Sequence, residues 1–107
     1  MGAIQLVISD TPISEITQTP ELTLVYPNGN HIWEVDKTVR IKWESIAVAD
    51  VLIEFSSNNG STWNTIATAS GVQQFYDITV PNEISTQCLL RISGEGLNET
   101  SNETFEI

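Results

Sequence analysis

The stretch SSNNGSTW, residues 56–63, brings together side chains that could bind a sugar. Trp63 could stack on a sugar ring, because an indole offers a flat apolar face next to a polar N–H. The same stretch also suits a tight turn, since Asn58 and Asn59 tolerate positive φ and Gly60 adopts it freely. Side chains of Ser and Asn can bond back to nearby amides and hold such a turn. We therefore predict a hairpin in which Trp63 packs on its own turn, with sugar binding as the alternative.

Two further tryptophans, Trp33 and Trp43, flank a short turn. Together they could form the centre of a core. An aromatic pair on one exposed face would instead suggest a carbohydrate platform. The alternation around Trp43 favours a core position, whereas the polar neighbours of Trp33, His31 and Glu34, leave both interpretations open.

Candidates for catalysis are few. His31 is the one histidine and Cys88 the one cysteine, so an internal disulfide is excluded and a Cys-His pair would need two residues far apart in sequence. Cys88 lies in an apolar run and is expected to be a buried, inert thiol. No H-E-x-x-H, C-x-x-C, G-x-S-x-G or glycine-rich phosphate loop is present. We expect no enzyme and no catalytic residues.

An acidic loop is predicted before the last strand, with Asn98, Glu99, Asn102 and Glu103. Carboxylate and amide oxygens are ligands for Ca²⁺. A solvated loop explains the same residues, and we predict no metal ligand set and no cofactor.

The net charge of −10 leaves four cations against fourteen carboxylates. Nucleic acid and anionic membranes are poor partners for such a chain, because both need a basic face. No apolar run approaches the roughly 18 residues that cross a bilayer. Three of the cations, Arg40, Lys42 and Arg91, are predicted to point outward from strands and to pair with Glu54 on one sheet face.

The elements that must position these residues are strands, because apolar residues recur with period two. Val39, Ile41 and Trp43 alternate with Arg40 and Lys42. About seven such runs occur, separated by Asn, Gly, Pro and Ser, and they predict an all-β antiparallel sandwich or barrel. The predicted strands cover residues 22–26, 38–43, 51–56, 63–67, 76–80, 88–92 and 104–107.

Residues 22–107 form the predicted sandwich domain, and residues 1–21 form a linker or an extra N-terminal strand. The stretch DTPISEITQTPE is typical of a linker, whereas IQLVISD could be a strand. IQLVISD also resembles LLRISGE, residues 89–95, as the end of a preceding, similar domain would.

Four segments in order carry a resemblance to a known family: YPNGNHIWEVDKTVRIKWES, VLIEFSSNNGSTWNTIA, YDITVPNEISTQCLLRIS and SNETFEI. Together they resemble the Ser-Thr-rich glycosylphosphatidylinositol-anchored membrane (KNH-like) family, in its bacterial form. Within the second segment, Ser56, Asn58, Gly60, Thr62 and Trp63 resemble an Asp-box, a structural hairpin element, with Asn in place of Asp. The resemblance implies an Ig-like or fibronectin-III-like sandwich in secreted or cell-surface bacterial proteins.

Three functional hypotheses follow. The first is a non-catalytic accessory module that spaces, stabilises or docks neighbouring domains, and it is a monomer. The second is a carbohydrate-binding module that uses exposed Trp33, Trp63 or both. The third is an adhesion or assembly module that pairs through an edge strand, at residues 22–26 or 104–107.

Overall fold

Two antiparallel sheets pack face to face in the computed structural model, which describes residues 19–107. Their strands are β1 (Glu21–Tyr26), β2 (Thr38–Ile46), β3 (Asp50–Ser56), β4 (Asn64–Ser70), β5 (Phe75–Thr79), β6 (Leu89–Gly94) and β7 (Leu97–Thr100). The only helical element of these residues is a short 3₁₀ turn, Gly71–Gln73. The prediction of an antiparallel sandwich of about seven strands is confirmed.

The three-stranded sheet has the order β1-β2-β5. On β2, Ile41 and Trp43 are buried whereas Arg40 and Lys42 are exposed, as period-two alternation requires. Each outward residue of β2 then meets an outward residue of β5, so that Arg40 lies opposite Asp77.

The four-stranded sheet has the order β4-β3-β6-β7. Its central strands supply most of the core on this side, and Val51, Ile53, Leu90 and Ile92 are all fully buried. Sixteen apolar residues form one continuous core between the sheets. Burial of this apolar surface drives the packing of the two layers.

Strand β7 was not predicted. The sequence LNET carries one apolar residue, and its burial alternates only between half-buried and exposed. It is held as a strand by pairing with β6, from Arg91↔Thr100 to Gly94↔Leu97. Asn98 and Glu99 therefore lie on a strand, which corrects their assignment to an acidic loop.

Residues 104–107 have backbone partners on both sides, so they offer no open edge. Phe105 and Ile107 exchange backbone hydrogen bonds with residues 85–88. On the other side, the Glu106 N–H donates to the carbonyl of His31, and the Trp33 N–H donates to the carbonyl of Glu106, both at 2.8 Å. The expectation that this segment is an exposed edge strand is wrong, because its hydrogen-bonding groups are already used.

Strand β1, the other segment considered for edge pairing, lies at the edge of its sheet. The edge is covered in part, because the Leu24 N–H donates to Glu99 Oε1 on β7 at 3.4 Å. A carboxylate that caps an outward N–H removes one of the groups that a second strand would need.

The described chain begins and ends at opposite ends of the sandwich. The lower end holds Glu21, which pairs with Ile46, together with the turns 46–50, 71–73 and 94–97. The upper end holds the loops 27–37, 57–63 and 81–87 and also Ile107, whose N–H donates to the Ser85 carbonyl. Apart from residues 19–21, the predicted linker or extra strand at 1–21 lies outside the described residues.

Candidate functional site

The loop 57–63 connects β3 to β4 and is held by a compact set of side-chain hydrogen bonds. Ser56 is fully buried, and its Oγ accepts hydrogen bonds from the N–H of Gly60 at 2.9 Å and of Asn58 at 3.3 Å. The same hydroxyl donates to Asn58 Oδ1 at 2.8 Å. Ser56 thus satisfies two loop amides from beneath the turn.

Asn58 closes the second half of the loop. Its Oδ1 accepts a hydrogen bond from the Thr62 N–H at 2.9 Å, and its Nδ2 donates to Thr62 Oγ1 at 2.7 Å. Asn59 and Gly60 have φ values of 58° and 86°, which are accessible to Asn and easy for Gly. The amide side chain therefore serves as both acceptor and donor, whereas a carboxylate at this position would only accept.

The loop is also fixed to its neighbour, the segment 81–87. The Asn59 N–H donates to the Gln87 carbonyl at 2.9 Å. Ser57 Oγ donates to Glu83 Oε1 at 2.9 Å, and Ser85 Oγ donates to the Ser57 carbonyl at 2.7 Å. These contacts join two loops of the upper end into one unit.

Trp63 lies against the outer face of the four-stranded sheet and is half-buried. The Arg91 guanidinium lies 4.1 Å from the centre of the Trp63 ring, and a Cβ on Gly60 would stand 3.5 Å from the ring. Arg91 also forms a salt bridge of 2.8 Å with Glu54 on β3. One ring face is thus occupied by a cation, which is a favourable arrangement for an indole.

Trp33 is a core residue with 5% of its surface exposed. Its ring packs 4.2 Å from that of Phe105, and its Nε1–H donates to the Tyr26 hydroxyl at 3.1 Å. A buried ring cannot stack on a polysaccharide, so the interpretation of Trp33 as an exposed platform is replaced by a core position. Trp43 is likewise in the core, and its Nε1–H donates to the Gly71 carbonyl at 3.0 Å.

The predicted cross-strand ion pairs lie on two sheets and not on one. Arg91 pairs with Glu54 as expected. Arg40 instead binds Asp77 with two hydrogen bonds of 2.8 and 3.1 Å, and it covers the Phe75 ring at 4.1 Å. The hydrogen bond from Arg40 holds the pKa of Asp77 below its usual value. The prediction of a single charged face was wrong, because β2 and β6 belong to different layers.

The acidic residues considered as Ca²⁺ ligands have different hydrogen-bond partners. Glu99 Oε1 accepts from the Leu24 N–H, and Glu103 Oε1 accepts from Asn30 Nδ2 at 3.1 Å. Within residues 19–107, no cluster of three or more His, Cys, Asp or Glu side chains is arranged to hold a metal ion. Glu99 and Glu103 each accept a hydrogen bond from a segment distant in sequence.

Cys88 and His31 have different surroundings. The Cys88 thiol is buried, and desolvation raises its pKa, which keeps it protonated near neutral pH. His31 packs on Tyr26 with ring centres 4.5 Å apart, and its Nε2 lies 2.9 Å from Asn28 Oδ1. Sequence reasoning missed this aromatic cluster of Tyr26, His31 and Trp33, because its members meet only through the turn at 27–30.

Among the residues that the structure describes, no helix is long and apolar enough to cross a membrane. Comparison of the chain with models of protein families, with curated proteins and with solved structures gave no match.

Proposed function

We propose that this domain is a non-catalytic accessory module that spaces or docks neighbouring domains of a larger secreted or cell-surface bacterial protein. One observation carries the proposal: Glu21 and Ile107 lie at opposite ends of the sandwich. A module with this chain path lengthens a polypeptide by its full height. A module with both ends on one side would only project from it.

The attachment at the upper end supports the same role. Ile107 is 7% exposed and exchanges backbone hydrogen bonds with Ser85, while Glu106 is bonded to the segment 31–33. A segment joined after Ile107 would begin from a fixed position. Rigid attachment is what distinguishes a spacer from a domain on a flexible tether.

The Ig-like or fibronectin-III-like character and the extracellular, bacterial location are part of this proposal. They rest on the resemblance of four ordered segments to the KNH-like family, and the two-sheet sandwich is compatible with it. The hairpin at 56–63 fits the proposal as a folding element, because its polar groups bond to one another.

Carbohydrate binding through Trp63 is the second candidate. The observation that favours it is the partial exposure of the Trp63 ring on the outer face of the sheet. The Arg91 guanidinium occupies one ring face, so a sugar would stack on what remains of the other or displace the cation.

A polysaccharide panel separates the two candidates. The full chain is tested against soluble and insoluble polymers, with and without Ca²⁺, by tryptophan fluorescence and pull-down. The accessory module predicts no saturable binding to any polymer. Saturable binding that Trp63→Ala abolishes and Trp33→Phe retains, with both variants folded, would replace it with a carbohydrate-binding module.

A distance measured between the two ends of the sandwich tests directly whether Glu21 and Ile107 lie at opposite ends. Spin labels are placed on Thr19→Cys and Glu106→Cys, both exposed, while buried Cys88 stays unlabelled. Nine-residue strands such as β2 span about 30 Å, so one narrow distance of at least that order is expected. A broad distribution, or one centred far below it, would contradict a rigid spacer.

A further inference from the structure

Two large apolar side chains are exposed where the described chain begins. Ile46 is 44% and Val72 is 81% exposed, and both lie at the lower end of the sandwich. Glu21, the first residue of β1, is the backbone partner of Ile46. A single exposed apolar residue is ordinary on a protein surface. What distinguishes this pair is its position beside the incoming chain.

The surface around the two side chains is preformed. Val72 lies on the 3₁₀ turn, and Ser45 Oγ donates to the Gly71 carbonyl of that turn at 2.7 Å. The Ser45 N–H donates to Gln74 Oε1 at 3.0 Å, so both sides of the turn are bonded to the residue that precedes Ile46. Ile46 and Gln74 also line a cleft of about 140 Å³ beside the start of β1. The turn and the end of β2 therefore form one fixed surface.

The chain immediately before β1 supplies an apolar partner for this surface. The sequence TPISEITQ, residues 11–18, contains Ile13 and Ile16 and one charged residue, Glu15. In a polyproline II stretch, which Pro12 favours, side chains three positions apart lie on the same side. Both isoleucines would then face one way, and the carboxylate would face another.

Chain length keeps these isoleucines within reach of the lower end. An extended chain spans at most about 3.5 Å per residue, so Ile16 lies within about 17 Å of Glu21 and Ile13 within about 28 Å. Ile46 is about 5 Å from Glu21, as paired residues of antiparallel strands are. So short a tether gives a high effective concentration at the surface. Residues 4–8, the other apolar run before β1, are held by a longer tether.

We propose that residues 13–16 of this chain dock on the lower-end surface formed by Ile46 and Val72, with both isoleucines of the segment in contact with these side chains. Burial of apolar area drives the contact. The inference goes beyond the accessory function and does not depend on it. In a spacer, this docking would fix the entering segment, as backbone hydrogen bonds fix the residues before Ile107 at the other end.

Charge opposes this docking only weakly. Glu15 would share the lower end with the exposed carboxylates of Glu21 and Asp50. Repulsion between exposed charges is small and is screened by salt. Docking should therefore strengthen between low salt and about 0.5 M NaCl, whereas a contact made of ion pairs would weaken.

Cleavage after Glu15 by a glutamate-specific protease tests the proposal in the full chain. A docked segment is cleaved only when it opens, so the rate follows the population of the open state. The lower-end variant, Ile46→Ser with Val72→Ser, leaves the cleaved sequence intact. We expect this variant to be cleaved at least tenfold faster than the wild type, which corresponds to about 1.4 kcal/mol. Both positions are exposed, and circular dichroism checks that the variant folds.

Two matched controls carry the same kind of change elsewhere. The upper-end variant, Ile32→Ser with Ile84→Ser, alters two equally exposed isoleucines at the other end of the sandwich. A second control, Leu6→Ser with Ile8→Ser, alters the more distant apolar run. Both controls should be cleaved at the wild-type rate.

A direct contact gives an independent reading. Nuclear Overhauser effects should connect the methyl groups of Ile13 or Ile16 with those of Ile46 or Val72 in the wild type. The two controls should show the same contacts.

Equal cleavage rates of the wild type and the lower-end variant would overturn the proposal, and so would a wild type without these methyl contacts. Faster cleavage of the Leu6→Ser, Ile8→Ser variant would assign the surface to residues 4–8 and overturn it as well. Wild-type cleavage that slows as the protein concentration rises would assign the surface to a second copy, with the same consequence. Polysaccharide binding would refute the accessory function and leave these rates unchanged, so the two failures are distinguishable.

Discussion

The guanidinium of Arg91 lies 4.1 Å from the centre of the Trp63 ring and 2.8 Å from the carboxylate of Glu54. Three residues from the β3–β4 hairpin and β6 are thereby linked on the outer face of one sheet. The arrangement shows that part of the Trp63 surface is covered by a paired cation of the same sheet.

Removal of the Arg91 side chain should therefore lower the stability of the protein, in part through the lost contact with Trp63. We expect Arg91→Ala to lower the free energy of unfolding by about 1–2 kcal/mol, because a partly buried ion pair and a cation–π contact are both lost. Chemical denaturation measures this, and a double-mutant cycle with Trp63→Leu isolates the pair. Arg40→Ala is the matched control, since its pair with Asp77 is exposed, and it should cost less. Equal costs for the two variants would contradict the assignment.

Ser56 should contribute more to stability than any other hydroxyl of the loop. Ser56→Ala leaves the amides of Asn58 and Gly60 without their acceptor, at a cost of about 1–3 kcal/mol. Ser57→Ala removes only a contact with Glu83 and should cost less than about 1 kcal/mol. Denaturation gives both values, and amide exchange at Gly60 should accelerate only in the first variant. Unchanged exchange at Gly60 would show that Ser56 does not hold the turn.

Replacing Asn58 by Asp should make the hairpin pH-dependent. The introduced carboxylate would accept hydrogen bonds from the Thr62 N–H and from the hydroxyls of Ser56 and Thr62, so its folded pKa should lie below the usual value of about 3.9. Between the folded pKa and the unfolded pKa of this carboxyl, the unfolded state binds more protons than the folded state. The stability of the variant therefore rises with pH in that range. The variant should be close to wild type at neutral pH and should lose stability as pH falls below about 4.

Denaturation curves between pH 2 and 7 measure this effect, with Asn58→Ala as the control. The alanine variant should be destabilised at every pH, and its difference from wild type should not change with pH. A difference between the aspartate variant and wild type that is also constant over this range would show that the carboxyl does not accept these bonds.

Gly71 and Gly96 should respond differently to alanine. A Cβ on Gly71 would overlap the Val48 carbonyl, which is backbone and cannot move aside cheaply. A Cβ on Gly96 would meet nothing within 4 Å, so only its φ of 80° opposes the change. We expect Gly96→Ala to cost about 1–2 kcal/mol and Gly71→Ala to cost more than about 3 kcal/mol. Thermal and chemical denaturation compare the two, and equal costs would refute the close contact at Gly71.

The sequence by itself determined the features that depend on residues close together in the chain, namely the alternating strands and the tight turn. The alternation of Val39, Ile41 and Trp43 with charged residues identifies β2 and its buried face, because side chains of a strand point alternately to opposite sides. The turn at 58–60 is equally local, since Asn and Gly residues supply the positive φ and short side chains supply the hydrogen bonds.

Only the tertiary structure decided which distant groups meet. Nothing local distinguishes Asp77 from Glu54 as the partner of Arg40, because the choice depends on which strands share a sheet. The sequence of strand β7 has no apolar alternation from which a strand could be predicted. Pairing with β6 and a hydrogen bond between Glu99 and Leu24 hold this strand in place. Trp33 is buried because Phe105, 72 residues later, packs on its ring. Local chemistry thus fixes the amphipathic strands and the turns, whereas burial and pairing between distant segments fix strand β7 and the surface that remains exposed.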